Sequence, residues 1–247
     1  MRTLKLTLAY DGTNYVGWQR QINGVSIQQL IEEALQPLVG VHVPLPTVVG
    51  AGRTDAGVHA LAQIASVQVD FAVPVAAVGR ALNVRLPVDI RVLDVADAAP
   101  RFHAQFDAKG KCYRYRMATA RVQSPFGRWF AWHAPEPRDV AAMREGAARL
   151  LGRHDFLSFQ ASGSASVDSV RTIERIDVVQ EDDAIVIEVE GEGFLRHMVR
   201  IIVGTLSEVG SGRRRPDGMT AVLEARNRRA AGLTAPACGL TLVRVRY

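Results

Sequence analysis

Residues 170–193 read "VRTIERIDVVQEDDAIVIEVEGEG", and the reversal in their middle decides the fold. Apolar and polar positions alternate on either side of the acidic "EDD" (181–183), which predicts two strands joined by a tight turn. A hairpin makes its strands antiparallel, whereas strands separated by helices would make a parallel sheet. Outward from the hairpin, "FLRHMVRIIVGTLSEVG" (194–210) predicts a long helix and "RPDGMTAVLEARN" (215–227) a shorter one. "GLTLVRVRY" (239–247) reads as a final strand. Upstream, "KCYRYRMAT" (111–119) alternates as a strand. "PRDVAAMREGAARLLG" (137–152) predicts an amphipathic helix opened by Pro137.

The first hundred residues use the same vocabulary. "KLTLAY" (5–10) is a strand, and "SIQQLIEEALQPLVG" (26–40) a helix with a capping box of Ser26 and Gln29. Its apolar face is Ile27, Leu30, Ile31, Ala34, Leu35 and Leu38, and Gly40 stops it. "TVVGAG" (47–52), "AQIASVQVDF" (62–71) and "DIRVLDVAD" (89–97) predict strands, with a helix at "PVAAVGRALNVRL" (74–86). The irregular, polar "APRFHAQFDAKG" (99–110) marks a boundary. The expected architecture is α+β: two similar halves, 1–105 and 106–247, with a mostly antiparallel sheet and helices packed on one face. "ASGSASVDS" (161–169) and "GSGRRR" (210–215) are expected to be flexible.

At 247 residues and 48% hydrophobic content the chain can bury a substantial core. No window approaches the ~20 apolar residues that span a bilayer. "MRTLKLTLAYDG" makes a poor secretion signal, and the two cysteines, Cys112 and Cys238, lack metal-ligand spacing. A reduced, cytoplasmic, metal-free protein is expected. Only Lys5, Lys109 and Lys111 are lysines among 30 cationic residues, and the net charge is +5. Arginine excess follows in large part from genomic base composition; the remaining charge favours an anionic partner.

One segment carries chemistry. "GAGRTDAGVHA" (50–60) packs Arg53, Asp55 and His59 among three glycines. If 53–55 is extended, Arg53 and Asp55 share a face, and a nearby cation keeps a carboxylate ionised. Glycines let another molecule approach closely. Such an aspartate suits a nucleophile or general base. "GAGRTD" departs from the dinucleotide fingerprint, because Asp55 stands where a third glycine would and no helix starts after it. A metal site at Asp55 and His59 lacks a third ligand at suitable spacing. An Arg–Asp pair that merely pins the turn is the structural alternative.

"GRTDAGVH" (52–59) is similar, without substitution, to the signature of the tRNA pseudouridine synthase A (TruA) family. "YDGTNYVGWQRQ" (10–21), "ALNVRLPVDI" (81–90), "FHAQFDAKGKCYRY" (102–115), "LLGRHDFLSF" (150–159), 194–210 and 239–247 resemble it in the same order. The resemblance implies the pseudouridine synthase fold with an active-site cleft between the halves. It also implies isomerisation of uridine to pseudouridine at positions 38–40 of the tRNA anticodon stem-loop, without cofactor or metal, by a homodimer. It aligns Asp55 with the essential aspartate, for which attack at C1′, addition at C6 and a glycal route are all open. Tyr113 aligns with the active-site tyrosine, while Tyr115, on the same face, is expected to be structural. Arg53 would steady Asp55 or prop the RNA where the base has left. Arg200 would pair with Asp55 or bind phosphate, and Arg196 is expected to share its helix face. His197 is expected to pack, and His59, Arg101 and His103 to lie around the cleft. Arg20, Arg80, Arg85, Arg213, Arg214, Arg215, Arg226, Arg228 and Arg229 are candidates for RNA contact. Cys112 and Thr241 depart from common family residues without touching the aspartate.

Overall fold

The computed structural model describes residues 1–40, 42–163 and 168–247. They divide into two compact units, Met1–Lys109 with Leu242–Tyr247, and Gly110–Thr241.

The first unit begins with β1 (Arg2–Tyr10), α1 (Ile27–Val39), β2 (Val49–Gly50), β3 (His59–Val69), α2 (Val75–Arg85) and β4 (Ile90–Ala98). β1 pairs antiparallel with both β3 and β4. Alternation does the sorting: Leu4, Leu6 and Leu8 are wholly buried on one face, opposite Val67, Ala65 and Gln63. α2 covers this face, with Gly79 against Val95. On α1 the Ser26 hydroxyl accepts from the Gln29 N–H, but the Gln29 side chain donates to Glu33, so only half of the expected capping box forms. Leu30 and Leu38 are half-exposed while Gln28 and Glu32 are buried, which rotates the buried face from its apolar expectation.

The second unit holds β5 (Gly110–Ala118), β6 (Trp132–His133), α3 (Val140–Ala148), β7 (Gly152–Asp155), β8 (Val170–Glu181), β9 (Ala184–Gly191), α4 (Met198–Gly210) and α5 (Gly218–Ala225). Its strands run in the order β5-β9-β8-β7, antiparallel, with β6 parallel to β5. The hairpin forms as read, and Asp182 takes a left-handed φ of 33° at its turn. α3 starts at Asp139, whose carboxylate accepts from the Ala142 N–H, rather than at Pro137. α4 is enclosed on nearly every side: eleven of its thirteen residues are buried, leaving only Arg200 and Glu208 less enclosed. β7 and β6 were not foreseen, being too short to show a period.

β10 (Leu240–Arg246) closes the chain. Residues 242–247 belong to the first unit, where Tyr247 and Phe102 pack on a small cluster of Ala51, Ile64 and Ala104. The Tyr247 hydroxyl donates to the Ala104 carbonyl at 2.7 Å, and Lys5 lies over its ring at 4.6 Å. Of the stretch 161–169, residues 164–167 lie outside the described residues. The stretch 210–215 is tied down: the Arg214 N–H donates to the Glu208 carbonyl and its guanidinium pairs with the Glu208 carboxylate.

Candidate active site

In the first unit, residues 51–58 turn the chain from β2 into β3. Their burial alternates: Arg53 exposed, Thr54 buried, Asp55 half-buried. Arg53 and Asp55 therefore share the side opposite Thr54, as the extended reading predicts. Thr54 anchors the loop from beneath, its hydroxyl 2.8 Å from that of Tyr10 and its carbonyl accepting from the Trp18 N–H at 3.0 Å. Asp55 itself forms an antiparallel bridge with Gly17, and its carbonyl accepts from the Val58 N–H. The expected Arg53–Asp55 ion pair does not form. Arg53 makes no hydrogen bond or ion pair among the described residues, because a solvated guanidinium gains little from an adjacent carboxylate.

The "YDGTNYVGWQRQ" segment is the scaffold for this loop. Gly17 sits at φ 105°, and a Cβ there would lie 2.5 Å from the Thr54 carbonyl oxygen. A Cβ on Gly12 would lie 2.0 Å from the Val58 carbonyl oxygen. Backbone is thus pressed on backbone, which only glycine allows. His59 is buried and takes the Gly12 N–H on Nδ1 at 3.1 Å. Asp11 lies equally near that nitrogen, and the same Asp11 oxygen accepts from the Thr13 N–H and hydroxyl. Behind the segment, Glu32 accepts from Arg20, Gln28 and the Val48 N–H at 2.9–3.0 Å. Gln28 in turn accepts from the Arg20 N–H and from Gln19. Sequence reasoning gave Gln28 and Glu32 no role; polar residues at i and i+4 on the apolar side of a capped helix were the available signal.

In the second unit, Tyr113 lies on β5 opposite Val189, 7% exposed, with the Phe194 ring edge-on at 5.4 Å. Tyr115 is fully buried, and its hydroxyl donates to the Pro236 carbonyl at 2.8 Å. Burial pushes its ionisation well above the ordinary tyrosine range. Arg200 stands in the first turn of α4, where Nε donates to the Ala235 carbonyl at 2.8 Å and the Arg200 carbonyl accepts from the Ala235 N–H. Arg196 does not share its helical face: α4 begins at Met198, after His197 in a left-handed conformation at φ 61°. A cavity of about 340 Å³ lined by Arg144, Leu151 and Val178 contains none of the candidate residues.

Residues 7–107 and 147–247 match the tRNA pseudouridine synthase family. The chain belongs to that family. It is 49% identical to the tRNA pseudouridine synthase A of Pelobacter propionicus over 247 residues, covering all of both chains. Identity is 47% to that of Moorella thermoacetica, again over all of both, and 46% to that of Syntrophotalea carbinolica, over all of this chain and 97% of the relative. Pseudouridine synthases are isomerases, and membership supports tRNA pseudouridylation and the pseudouridine synthase fold.

In this pseudouridine synthase several of the arginines expected to meet RNA have protein partners. Arg20 pairs with Glu32 and Glu33, Arg215 with Asp217, and Arg226 with Asp155. Arg214 holds Glu208 and the Ala230 carbonyl, and Arg228 the carbonyls of Ala231 and Gly232. Arg53, Arg80, Arg196 and Arg229 make no side-chain bond among the described residues. No group of three metal-ligating side chains occurs among the described residues, and no helix there is long and apolar enough to cross a membrane.

Proposed function

We propose that the protein converts uridine to pseudouridine at positions 38–40 of the tRNA anticodon stem-loop, with Asp55 as the nucleophile. The N1–C1′ bond breaks, the uracil turns, C5 bonds to C1′, and the C5 proton is exchanged for one on N1. Electrons balance within the nucleoside, so no redox partner enters. The observation that carries the reading is the half-exposed Asp55, fixed through its main chain to Gly17 above a buried Thr54, in a chain of this family.

A stacked base must leave its helix to react, at a cost of a few kcal/mol recovered from pocket and phosphate contacts. Arg53, which makes no hydrogen bond or ion pair among the described residues, is available to the RNA at the vacated position. Tyr113 offers a ring to the uracil, and Arg200 a guanidinium to the substrate. The reading extends to a cytoplasmic homodimer. The exposed Val122, Phe126, Trp129 and Phe130 support the latter, being apolar surface of the kind a second copy covers.

Asp55→Asn tests the assignment. Tritium release from tRNA labelled at uracil C5 should vanish while tRNA binding stays within a few-fold of the parent protein. Appreciable turnover by the variant would overturn the role of Asp55, and turnover of free uridine without tRNA would overturn the substrate.

A further inference from the structure

The sheet of the second unit brings two cations to the face that carries Tyr113. Lys111 is two residues before Tyr113 on β5, so the two side chains share a face about 7 Å apart along the strand. In register, Lys111 lies opposite Gly191, and Gly191 opposite Ile173. Arg171, two residues before Ile173 on β8, emerges on that same side. Between them Gly191 contributes no side chain; a Cβ there would lie 2.3 Å from the Thr172 carbonyl oxygen, so the β8 backbone closes in and brings the two cationic stems to neighbouring positions.

The pair is poorly compensated. Lys111 is half-buried and makes no hydrogen bond or ion pair among the described residues. Among the described residues Arg171 donates to the Val170 carbonyl and meets one carboxylate, that of the largely exposed Asp168, at 3.7 Å. Burial and the Arg171 charge hold the Lys111 ammonium below the usual lysine range. Retaining a cation under such repulsion is unfavourable for the protein alone and favourable once an anion arrives. The opposite face of the same strands is arranged differently: there Arg114 and Arg175 close on Glu188, and Arg116 on Glu181.

We infer that Lys111 and Arg171 form a phosphodiester-binding subsite for the RNA strand next to the nucleotide that reaches Tyr113. The inference rests on the proposed function for its RNA partner. The spacing suits one nucleotide, with the base at the tyrosine and a neighbouring phosphate between the cations.

The test compares Lys111→Met, Lys111→Arg, Arg171→Gln and, as a charge-matched reference on the other face, Arg116→Gln. For each, tRNA affinity is measured against salt, together with KM, kcat and apo Tm. Loss of one phosphate contact lowers the slope of log K against log salt by about 0.7–0.9. Lys111→Met should show that loss with KM raised about tenfold and kcat within about twofold. Its apo Tm should be unchanged or higher, a response opposite to that of a structural lysine. Lys111→Arg should restore the slope, and Arg116→Gln should leave it alone. An unchanged slope and KM in Lys111→Met, with Asp55→Asn inactive, overturns the subsite and leaves the proposed function standing. If inorganic phosphate raises the Tm of the parent protein but not of Lys111→Met while the RNA slope is unaltered, the site takes a free anion and the RNA assignment is overturned.

Discussion

Gly17 and Asp55 pair through their main chains in an isolated antiparallel bridge, so the candidate nucleophile is positioned by a residue with no side chain. Gly17→Ala would place a methyl 2.5 Å from the Thr54 carbonyl oxygen at a φ of 105°. The expected cost is about 1–3 kcal/mol, read as a lowered urea midpoint. Because the strain falls on the loop itself, kcat should fall further than folding alone explains; a variant with parental kcat would show that the bridge does not set the geometry of Asp55.

Glu32 is the buried centre of three hydrogen bonds behind that loop. Glu32→Ala leaves Arg20, Gln28 and the Val48 N–H without their acceptor and should destabilise by about 3 kcal/mol. Glu32→Gln should recover part of that. Denaturant titrations of the two variants, with unchanged m-values, check the ordering.

Tyr113 touches Phe194 edge-on, and removing only its hydroxyl preserves that contact. Tyr113→Phe should leave Tm within a few degrees of the parent and lower kcat at least tenfold. Tyr113→Leu should also lose the ring contact, worth about 0.5–1.5 kcal/mol. Equal kcat for Tyr113→Phe and the parent protein would confine the residue to packing.

Alkali should unfold the protein through its tyrosines. Burial raises Tyr10 from 10.0 to about 12, and Tyr15, Tyr115 and Tyr247 are raised as well. A raised folded value means that the folded state holds its proton while the unfolded chain has lost it. The stabilisation is therefore complete below pH 10 and is lost as pH climbs through the folded values. For fully buried Tyr10 alone the shift is worth roughly 3 kcal/mol. Absorbance titration of phenolate should show these tyrosines ionising together with loss of structure; independent early ionisation would contradict their burial.

The hairpin 170–193, the capped start of α1 and the outward display of Asp55 were all legible, because each depends on spacing within a few residues. Other features were not, since their causes are tertiary. Gln28 and Glu32 are polar yet buried, and only the approach of Arg20 and Val48 makes that tolerable. The late start of α4 depends on a left-handed His197, a conformation no periodicity announces. Whether an arginine is spare for RNA or committed to the protein turns on partners far along the chain: Arg214 finds the Ala230 carbonyl, and Arg229 finds no side-chain bond among the described residues.

The grouping of Leu242–Tyr247 with Met1–Lys109 has a consequence for biosynthesis. A nascent chain emerging from the ribosome cannot finish its first globular body until the whole intervening stretch of 132 residues, Gly110–Thr241, has been translated. Until then the pocket that receives Tyr247 stays open to water, so the earlier-made body is the later to close.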